Sequence, residues 1–142
     1  MNAAVTHLSF LAIYFVYLST FVTVSLQKWR SGLPDWFSAQ FKNTFIAKIP
    51  GGVTLGFWTI TLLESLVALL FLSALFHGEW GFAQPLVWMP AGAALAALTF
   101  GLLGFGLRIS GDYQGAANLF VYFGVSLIVV LFLHMRPFTS IN

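Results

Sequence analysis

Long apolar runs separated by short polar segments organise this chain. Residues 8–26 contain no charged side chain, and a helix rising about 1.5 Å per residue crosses a hydrocarbon core of about 30 Å in this length. Three further runs are similar, so the predicted transmembrane spans are 8–26, 53–76, 89–107 and 116–133. Spans and connections use nearly all of the chain, and we expect one membrane domain over residues 1–142.

The connection between the first two spans has its own pattern. Phe37, Phe41 and Phe45 recur at helical spacing, while the lysines lie elsewhere on the helical wheel. Proline and glycine flank the segment. The pattern predicts an amphipathic helix over about 35–47 in the membrane interface. The predicted fold is therefore all-α, an integral membrane bundle of four transmembrane helices with an interfacial helix between the first and second spans.

Composition and charge support a lipid environment. Hydrophobic residues make up 59% of the chain and charged residues 7%, against about 25% charged residues in a typical soluble domain. The chain has no cysteine, which excludes disulfides and thiolate metal sites within it. Four of the six basic residues fall between positions 28 and 48. This clustering indicates contact with a lipid bilayer and no nucleic-acid partner.

The basic residues also predict an orientation. One side of the membrane carries five of them, and the other side carries only Arg136; the five are Lys28, Arg30, Lys42, Lys48 and Arg108. The positive-inside rule places the five in the cytoplasm and both termini outside. The first apolar run lacks a basic n-region and a cleavage site, so we expect it to be retained as a helix. The predicted location is the bacterial inner membrane, with periplasmic termini.

Glu64, near the middle of the second span, is the foremost candidate site residue. A carboxylate inside a bilayer costs several kcal/mol unless it is neutral, paired or facing water. One interpretation is a proton carrier, or a hydrogen-bond donor to a carbonyl such as a quinone oxygen. The alternative is a protonated glutamate that ties helices together through Thr59, Thr61 or Asn118.

Further polar residues surround the start of the fourth span. Arg108 and Asp112 are four positions apart, which favours a local ion pair. The functional alternative turns Arg108 inward to hold an anionic group or to pair with Glu64. Asn118 and Tyr122 follow one helical turn apart, and all five residues are candidate ligand-binding positions.

Three histidines are weaker candidates for a metal site. His7, His77 and His134 all map to the side opposite the basic loops, with Glu79 close in sequence. Imidazole and carboxylate groups would suit copper, zinc or haem iron. However, each histidine lies at the end of a span, where an amphipathic ring is stable without a metal. We therefore favour no metal site.

Two sequence motifs occur in a fixed order along the first half of the chain. The loop Lys-Trp-Arg-Ser-Gly-Leu-Pro-Asp-Trp-Phe at positions 28–37 leads into Gln-Phe at 40–41 and Pro-Gly at 50–51. The second span then carries Leu-Glu-Ser-Leu at 63–66. This arrangement resembles the DoxX-like family of small four-helix membrane proteins, which typically places a glutamate near the centre of the second span. The resemblance implies a role in membrane redox chemistry, as in the membrane subunit of a thiosulfate to quinone oxidoreductase. Among the candidate site residues, it covers Glu64 alone.

Three functional hypotheses follow. The first is a membrane subunit of a redox assembly, an anchor or a quinone-facing chain, with Glu64 and either Asn118 or Tyr122 lining a cavity between the second and fourth spans. The second is a structural subunit of a larger membrane complex. It would dock through the interfacial helix and the small residues of the third span, which are Ala93, Ala97, Gly101 and Gly104. The third is a small proton- or cation-coupled carrier, which would need a homo-oligomer to build a pore.

Overall fold

The computed structural model describes residues 3–81 and 85–134, and the regular secondary structure of this part of the chain consists of helices, without β-strands. Two short 3-10 turns cover Phe45–Lys48 and Glu79–Gly81. The five α-helices are α1 (Ala3–Ser31), α2 (Asp35–Phe41), α3 (Gly52–Phe76), α4 (Trp88–Ser110) and α5 (Tyr113–His134).

The four long helices α1, α3, α4 and α5 are long and apolar enough to cross a membrane. Each predicted span lies inside one of them. Their outward faces carry many exposed large apolar side chains, which are stable in contact with lipid and costly in water. The chain is therefore a multi-pass membrane protein whose outer surface contacts the bilayer.

The first span is longer than its apolar run. α1 continues to Ser31 and ends where Gly32 adopts a positive φ of 66°, with the Gly32 amide bonded to the Lys28 carbonyl oxygen at 2.9 Å. Glycine reaches this left-handed conformation without steric penalty. As a result, Lys28 and Arg30 lie on the last turn of α1 and not in a loop.

Aromatic side chains fill the centre of the protein. The rings of Tyr17 and Phe71 stack with their centroids 4.6 Å apart, which joins α1 to α3. The Tyr17 hydroxyl donates to Ser126 Oγ at 2.8 Å, so the same tyrosine also joins α1 to α5. α4 packs along both α3 and α5, and α1 packs along α3. Each long helix thus contacts at least two others.

Small residues let α4 approach its neighbours closely. A Cβ atom placed at Gly92 would lie 2.9 Å from the Phe71 ring of α3. On the α5 side, Cβ atoms at Gly101 and Gly104 would lie 3.6 Å from Phe123 and 3.5 Å from Leu119. The predicted small-residue stripe therefore packs at least partly within the chain, where it joins α4 to α5.

The segment predicted as one helix over 35–47 consists of two pieces, α2 and the 3-10 turn Phe45–Lys48. Thr44 separates them, because its amide and its Oγ1 both donate to the Phe41 carbonyl oxygen, at 3.0 and 2.7 Å. Threonine side chains compete in this way with the helical hydrogen bonds of the backbone. The Phe37 ring lies 5.4 Å from the Phe57 ring of α3, so α2 covers the beginning of α3.

Candidate functional site

An ion pair joins α1 to the middle of α3. Lys28 Nζ lies 2.9 Å from Glu64 Oε1 and 2.8 Å from Oε2. The Glu64 side chain is 5% exposed and the Lys28 side chain 23% exposed. The carboxylate is thus buried within the protein, while its partner cation keeps part of its surface open.

Aromatic side chains enclose this pair. Lys28 Nζ lies 5.8 Å from the centre of the Phe57 ring, within the range of a cation–π interaction. Trp29 Nε1 donates to Ser65 Oγ at 3.0 Å, and the Trp29 ring lies 5.2 Å from the Trp58 ring. Trp29, next to Lys28 in the sequence, thus bonds to the residue after Glu64 and brings a second indole, Trp58, to the same side of the helix pair.

The two carboxylate oxygens of Glu64 differ in their hydrogen bonding. Oε1 accepts a hydrogen bond from Lys28, whereas buried Oε2 lies near the same nitrogen but accepts no well-directed hydrogen bond from any residue that the structure describes. Buried polar atoms in proteins almost always have a hydrogen-bond partner. Oε2 is therefore compensated by its charge contact with the Lys28 ammonium, 2.8 Å away.

The sequence prediction identified Glu64 but not its partner. Thr61 is buried and donates to the Phe57 carbonyl oxygen at 2.8 Å, while Thr59 is exposed. A sequence signal for Lys28 did exist. It continues the helical spacing of Tyr14, Tyr17 and Phe21, which form the buried face of α1.

The other polar candidates form no hydrogen bond or ion pair with Glu64. Arg108 does not form the predicted ion pair with Asp112, and its guanidinium lies 5.1 Å from the centre of the Tyr113 ring. Asp112 Oδ1 instead accepts the Gly115 amide at 2.8 Å, which caps the beginning of α5. Both residues therefore stabilise the turn between α4 and α5.

Asn118 and Tyr122 are exposed on α5. Asn118 Oδ1 accepts a 3.5 Å hydrogen bond from Gln114, and the Tyr122 ring lies 5.7 Å from the Phe100 ring. α4 packs along both α3 and α5, while α3 and α5 do not pack along each other. Neither Asn118 nor Tyr122 forms a hydrogen bond with Glu64, and the cavity that they were predicted to line stays a prediction.

The histidines lie at the other end of the long helices. Among residues 3–81 and 85–134, no three His, Asp or Glu side chains form a group suited to a metal ion. His77 and His134 are exposed, and each has Nδ1 near a carbonyl oxygen one turn earlier, at 2.8 and 3.3 Å. His7, at the beginning of α1, is also exposed.

At the same end of the long helices, the Glu79 carboxylate accepts hydrogen bonds from backbone amides. Its Oε1 accepts the amides of Val87 and Trp88 at 2.8 and 2.7 Å, and its Oε2 accepts the amide of Met89 at 2.8 Å. These amides belong to the first turn of α4, which has no carbonyl partners for them within the helix. The buried carboxylate therefore caps α4 and is engaged by the backbone.

A groove of about 250 Å³ lies between α3, α4 and the α2 segment, with an almost entirely apolar lining. Phe41 and Ile46 border it on one side, Gly56 and Ile60 on the second, and Gly106 on the third. The Glu64 carboxylate is not part of this lining. The ion pair and the groove are therefore two separate features of the same half of the protein.

Comparisons of the chain with protein-family models, curated proteins and solved structures find no match. The resemblance to the DoxX-like family stays a prediction that rests on the loop at positions 28–37 and on Glu64.

Proposed function

We propose that this protein is a DoxX-like membrane subunit of a redox assembly, and that a quinone or quinol headgroup docks beside the Lys28–Glu64 pair. The proposal includes a four-helix bundle in a bacterial inner membrane, with periplasmic termini and α2 in the cytoplasmic interface. The observation that carries it is the Lys28–Glu64 pair, in which a buried carboxylate inside an apolar span has a cationic partner whose side chain stays partly exposed.

The chemistry of the pair fits both forms of such a ligand. A quinol hydroxyl donates a hydrogen bond, and each carboxylate oxygen of Glu64 has more than one lone pair with which to accept one beside Lys28. A quinone carbonyl accepts a hydrogen bond, and the Lys28 ammonium carries three donors, of which Glu64 uses one or two. The quinone would supply the electron transfer, while Lys28 and Glu64 would orient its ring and hold the proton that a quinol releases.

Access to the pair also fits a ligand from the bilayer. Lys28 retains exposed surface, so an amphiphile can reach its ammonium without unfolding a helix. Trp29 and Trp58 offer flat apolar surfaces beside it, and aromatic rings favour offset stacking with other rings. The chain contains no cysteine, so any thiol chemistry of the assembly belongs to a partner subunit.

Tryptophan fluorescence provides the direct test. Quinones quench indole emission at short range, so titration of the purified protein with a short-tailed quinone should quench the signal of Trp29 and Trp58. Glu64→Gln and Lys28→Gln should each weaken the fitted affinity about tenfold, since a hydrogen bond to a charged group contributes about 1.5 kcal/mol. Arg30→Gln, which removes an exposed charge from the same helix turn, is the matched control and should bind as the wild type does.

Purification from the native membrane tests the assembly. We expect copurifying oxidoreductase chains and extractable quinone in a fixed ratio to this protein. Copurifying chains without quinone, together with equal titration curves for wild type and Glu64→Gln, would reject quinone binding and favour a structural subunit. Recovery of the protein alone and free of quinone would reject the redox assembly and favour the carrier hypothesis.

A further inference from the structure

The apolar groove beneath α2 has the shape and surroundings of a lipid site. Phe41 and Ile46 border it at the end where the polar loops lie, and Ile60 and Leu103 line it further along α3 and α4. From Val53 to Ile60 the lining extends seven residues along α3, which is about 10 Å at 1.5 Å per residue. The groove is thus an elongated slot that starts near the end of the long helices and runs inward along them.

The slot opens sideways to the bilayer. Leu102 and Phe105, which line it, are 41% and 59% exposed, and Gly56 has no side chain to close it. Apolar cavities do not hold ordered water, because water needs polar partners there. A hydrocarbon chain is therefore the occupant that matches the lining.

Basic residues mark the polar end of the slot. Lys42 directly follows Phe41, Lys48 lies two positions after Ile46, and Arg108 directly follows Leu107. All three side chains are exposed. An acyl chain in the slot would therefore carry its headgroup into a basic rim.

Acidic residues at this end only partly offset the rim. Glu64 is paired with Lys28, and Asp112 directs Oδ1 to the Gly115 amide. Asp35, the first residue of α2, is the remaining carboxylate among the described residues of this end. Three cations, Lys42, Lys48 and Arg108, thus exceed the two carboxylates that have no cationic partner. These two are Asp35 and Asp112, so a net positive charge faces the headgroup region.

We infer that this groove binds one acyl chain of an anionic phospholipid, whose phosphate is held by the rim of Lys42, Lys48 and Arg108. Gln40 Nε2 donates to Ser110 Oγ at 3.3 Å, which ties α2 to the end of α4 and keeps the roof of the groove in place. The bound lipid would stabilise the contact between α2 and the long helices, a role independent of the quinone proposal.

Native mass spectrometry of the detergent-solubilised protein tests this inference with phosphatidylglycerol and phosphatidylcholine of identical chains. The wild type should retain one phosphatidylglycerol molecule at least tenfold more strongly than phosphatidylcholine. Gly56→Leu should abolish this retention, because a Cβ at Gly56 meets no atom within 4 Å and its side chain would occupy the slot. Gly124→Leu is the matched control, since Gly124 is equally open but lies on α5 outside the groove, and it should retain the lipid.

The double variant Lys42→Gln/Lys48→Gln tests the rim separately, and it changes only exposed side chains. It should lose most of its preference for phosphatidylglycerol, because Arg108 alone remains of the rim. Equal retention of the two lipids by the wild type, or undiminished retention by both Gly56→Leu and the double variant, would overturn the inference. Displacement of the phospholipid by a long-tailed quinone at equal concentration would also overturn it and assign the groove to the quinone tail.

Discussion

Lys28 Nζ lies within 2.9 Å of both carboxylate oxygens of Glu64, so the end of α1 is fixed to the middle of α3. The two residues are 36 positions apart in the sequence and belong to helices that run in opposite directions. In an apolar environment, either charge alone would be costly, whereas the pair offsets part of that cost. The pair therefore defines the register between α1 and α3 as well as the proposed ligand site.

Removal of one partner should destabilise the protein, and the two single variants should differ. Lys28→Gln leaves the buried Glu64 carboxylate without a cation and should lower the free energy of unfolding by about 2–3 kcal/mol. Glu64→Gln should cost less, about 1 kcal/mol, because the partly exposed lysine can turn its ammonium toward water. Unfolding in mixed micelles with increasing SDS measures both values.

The double variant Lys28→Gln/Glu64→Gln completes this cycle. It should be more stable than Lys28→Gln alone, since no buried charge remains. Strictly additive losses in the double variant would show that the two side chains do not interact in the membrane protein.

Glu79 should contribute to stability through the first turn of α4. Glu79→Ala leaves the amides of Val87, Trp88 and Met89 without their acceptor and should lower the free energy of unfolding by about 3 kcal/mol. Glu79→Gln keeps one acceptor oxygen and should cost about 1 kcal/mol. Hydrogen exchange measured by mass spectrometry should show faster exchange of these three amides in Glu79→Ala than in the wild type.

Asp35→Ala is the control for the loss of a carboxylate, because Asp35 is exposed at the beginning of α2. It should change stability by less than about 0.5 kcal/mol. If Glu79→Ala behaved in the same way, with protected amides, the capping role of Glu79 would be refuted.

The four long helices could be predicted from sequence because a span has a strong signal, a run of about 20 apolar residues. The end of α1 could not, because the apolar run stops at Leu26 while the backbone continues helically to Ser31. Lys28 was consequently assigned to a loop, and the partner of Glu64 was missed. The first polar residues indicate where the chain leaves the hydrocarbon core of the membrane. The end of the helix depends instead on the left-handed backbone conformation of Gly32.

For a related reason, the sequence identified Glu64 as a buried polar residue but did not predict the roles of Asp112 and Glu79. Glu64 was identified because a charge within an apolar run is conspicuous and has few inexpensive solutions. Sequence proximity favoured an ion pair for Asp112 and placed Glu79 beside the candidate metal-binding histidines, yet both residues accept backbone amides at helix beginnings. Such bonds depend on loop paths that bring Glu79 to residues eight to ten positions away, and no local spacing rule describes those paths.

Gly115 should be intolerant of a larger side chain. A Cβ at this position would overlap the Asp112 carboxylate and lie 2.8 Å from Leu107 Cδ1. Gly115→Ala should therefore disturb the cap of α5 and lower the free energy of unfolding by about 1–2 kcal/mol, despite the better helix propensity of alanine. Gly124→Ala, in the same helix but with no atom within 4 Å of the added carbon, should be neutral or stabilising by up to about 1 kcal/mol.

Combination with Asp112→Ala distinguishes the cap from simple crowding. Asp112→Ala alone should cost about 1 kcal/mol through loss of the cap. Because both changes disturb the same hydrogen bond, the double variant Asp112→Ala/Gly115→Ala should be only slightly less stable than Asp112→Ala. Equal stability of Gly115→Ala and Gly124→Ala would contradict the geometry of this turn.

Gly92 should limit the distance between α3 and α4. A Cβ there would lie 2.9 Å from two carbon atoms of the Phe71 ring, and that ring is fully buried and stacked on Tyr17. It therefore has little room to move, and Gly92→Ala should lower the free energy of unfolding by about 1–3 kcal/mol, the usual cost of overpacking. Gly101→Ala is the control, since its Cβ would meet Phe123 at an ordinary 3.6 Å.

A second change should relieve the strain at Gly92. In the Gly92→Ala background, Phe71→Leu removes the ring atoms that the new methyl group meets. This substitution should therefore destabilise the variant less than it destabilises the wild type, by a coupling energy of about 1 kcal/mol or more. If Gly92→Ala unfolds at the same SDS concentration as Gly101→Ala, or if Phe71→Leu costs the same in both backgrounds, α3 and α4 do not approach as closely as the packing at Phe71 requires.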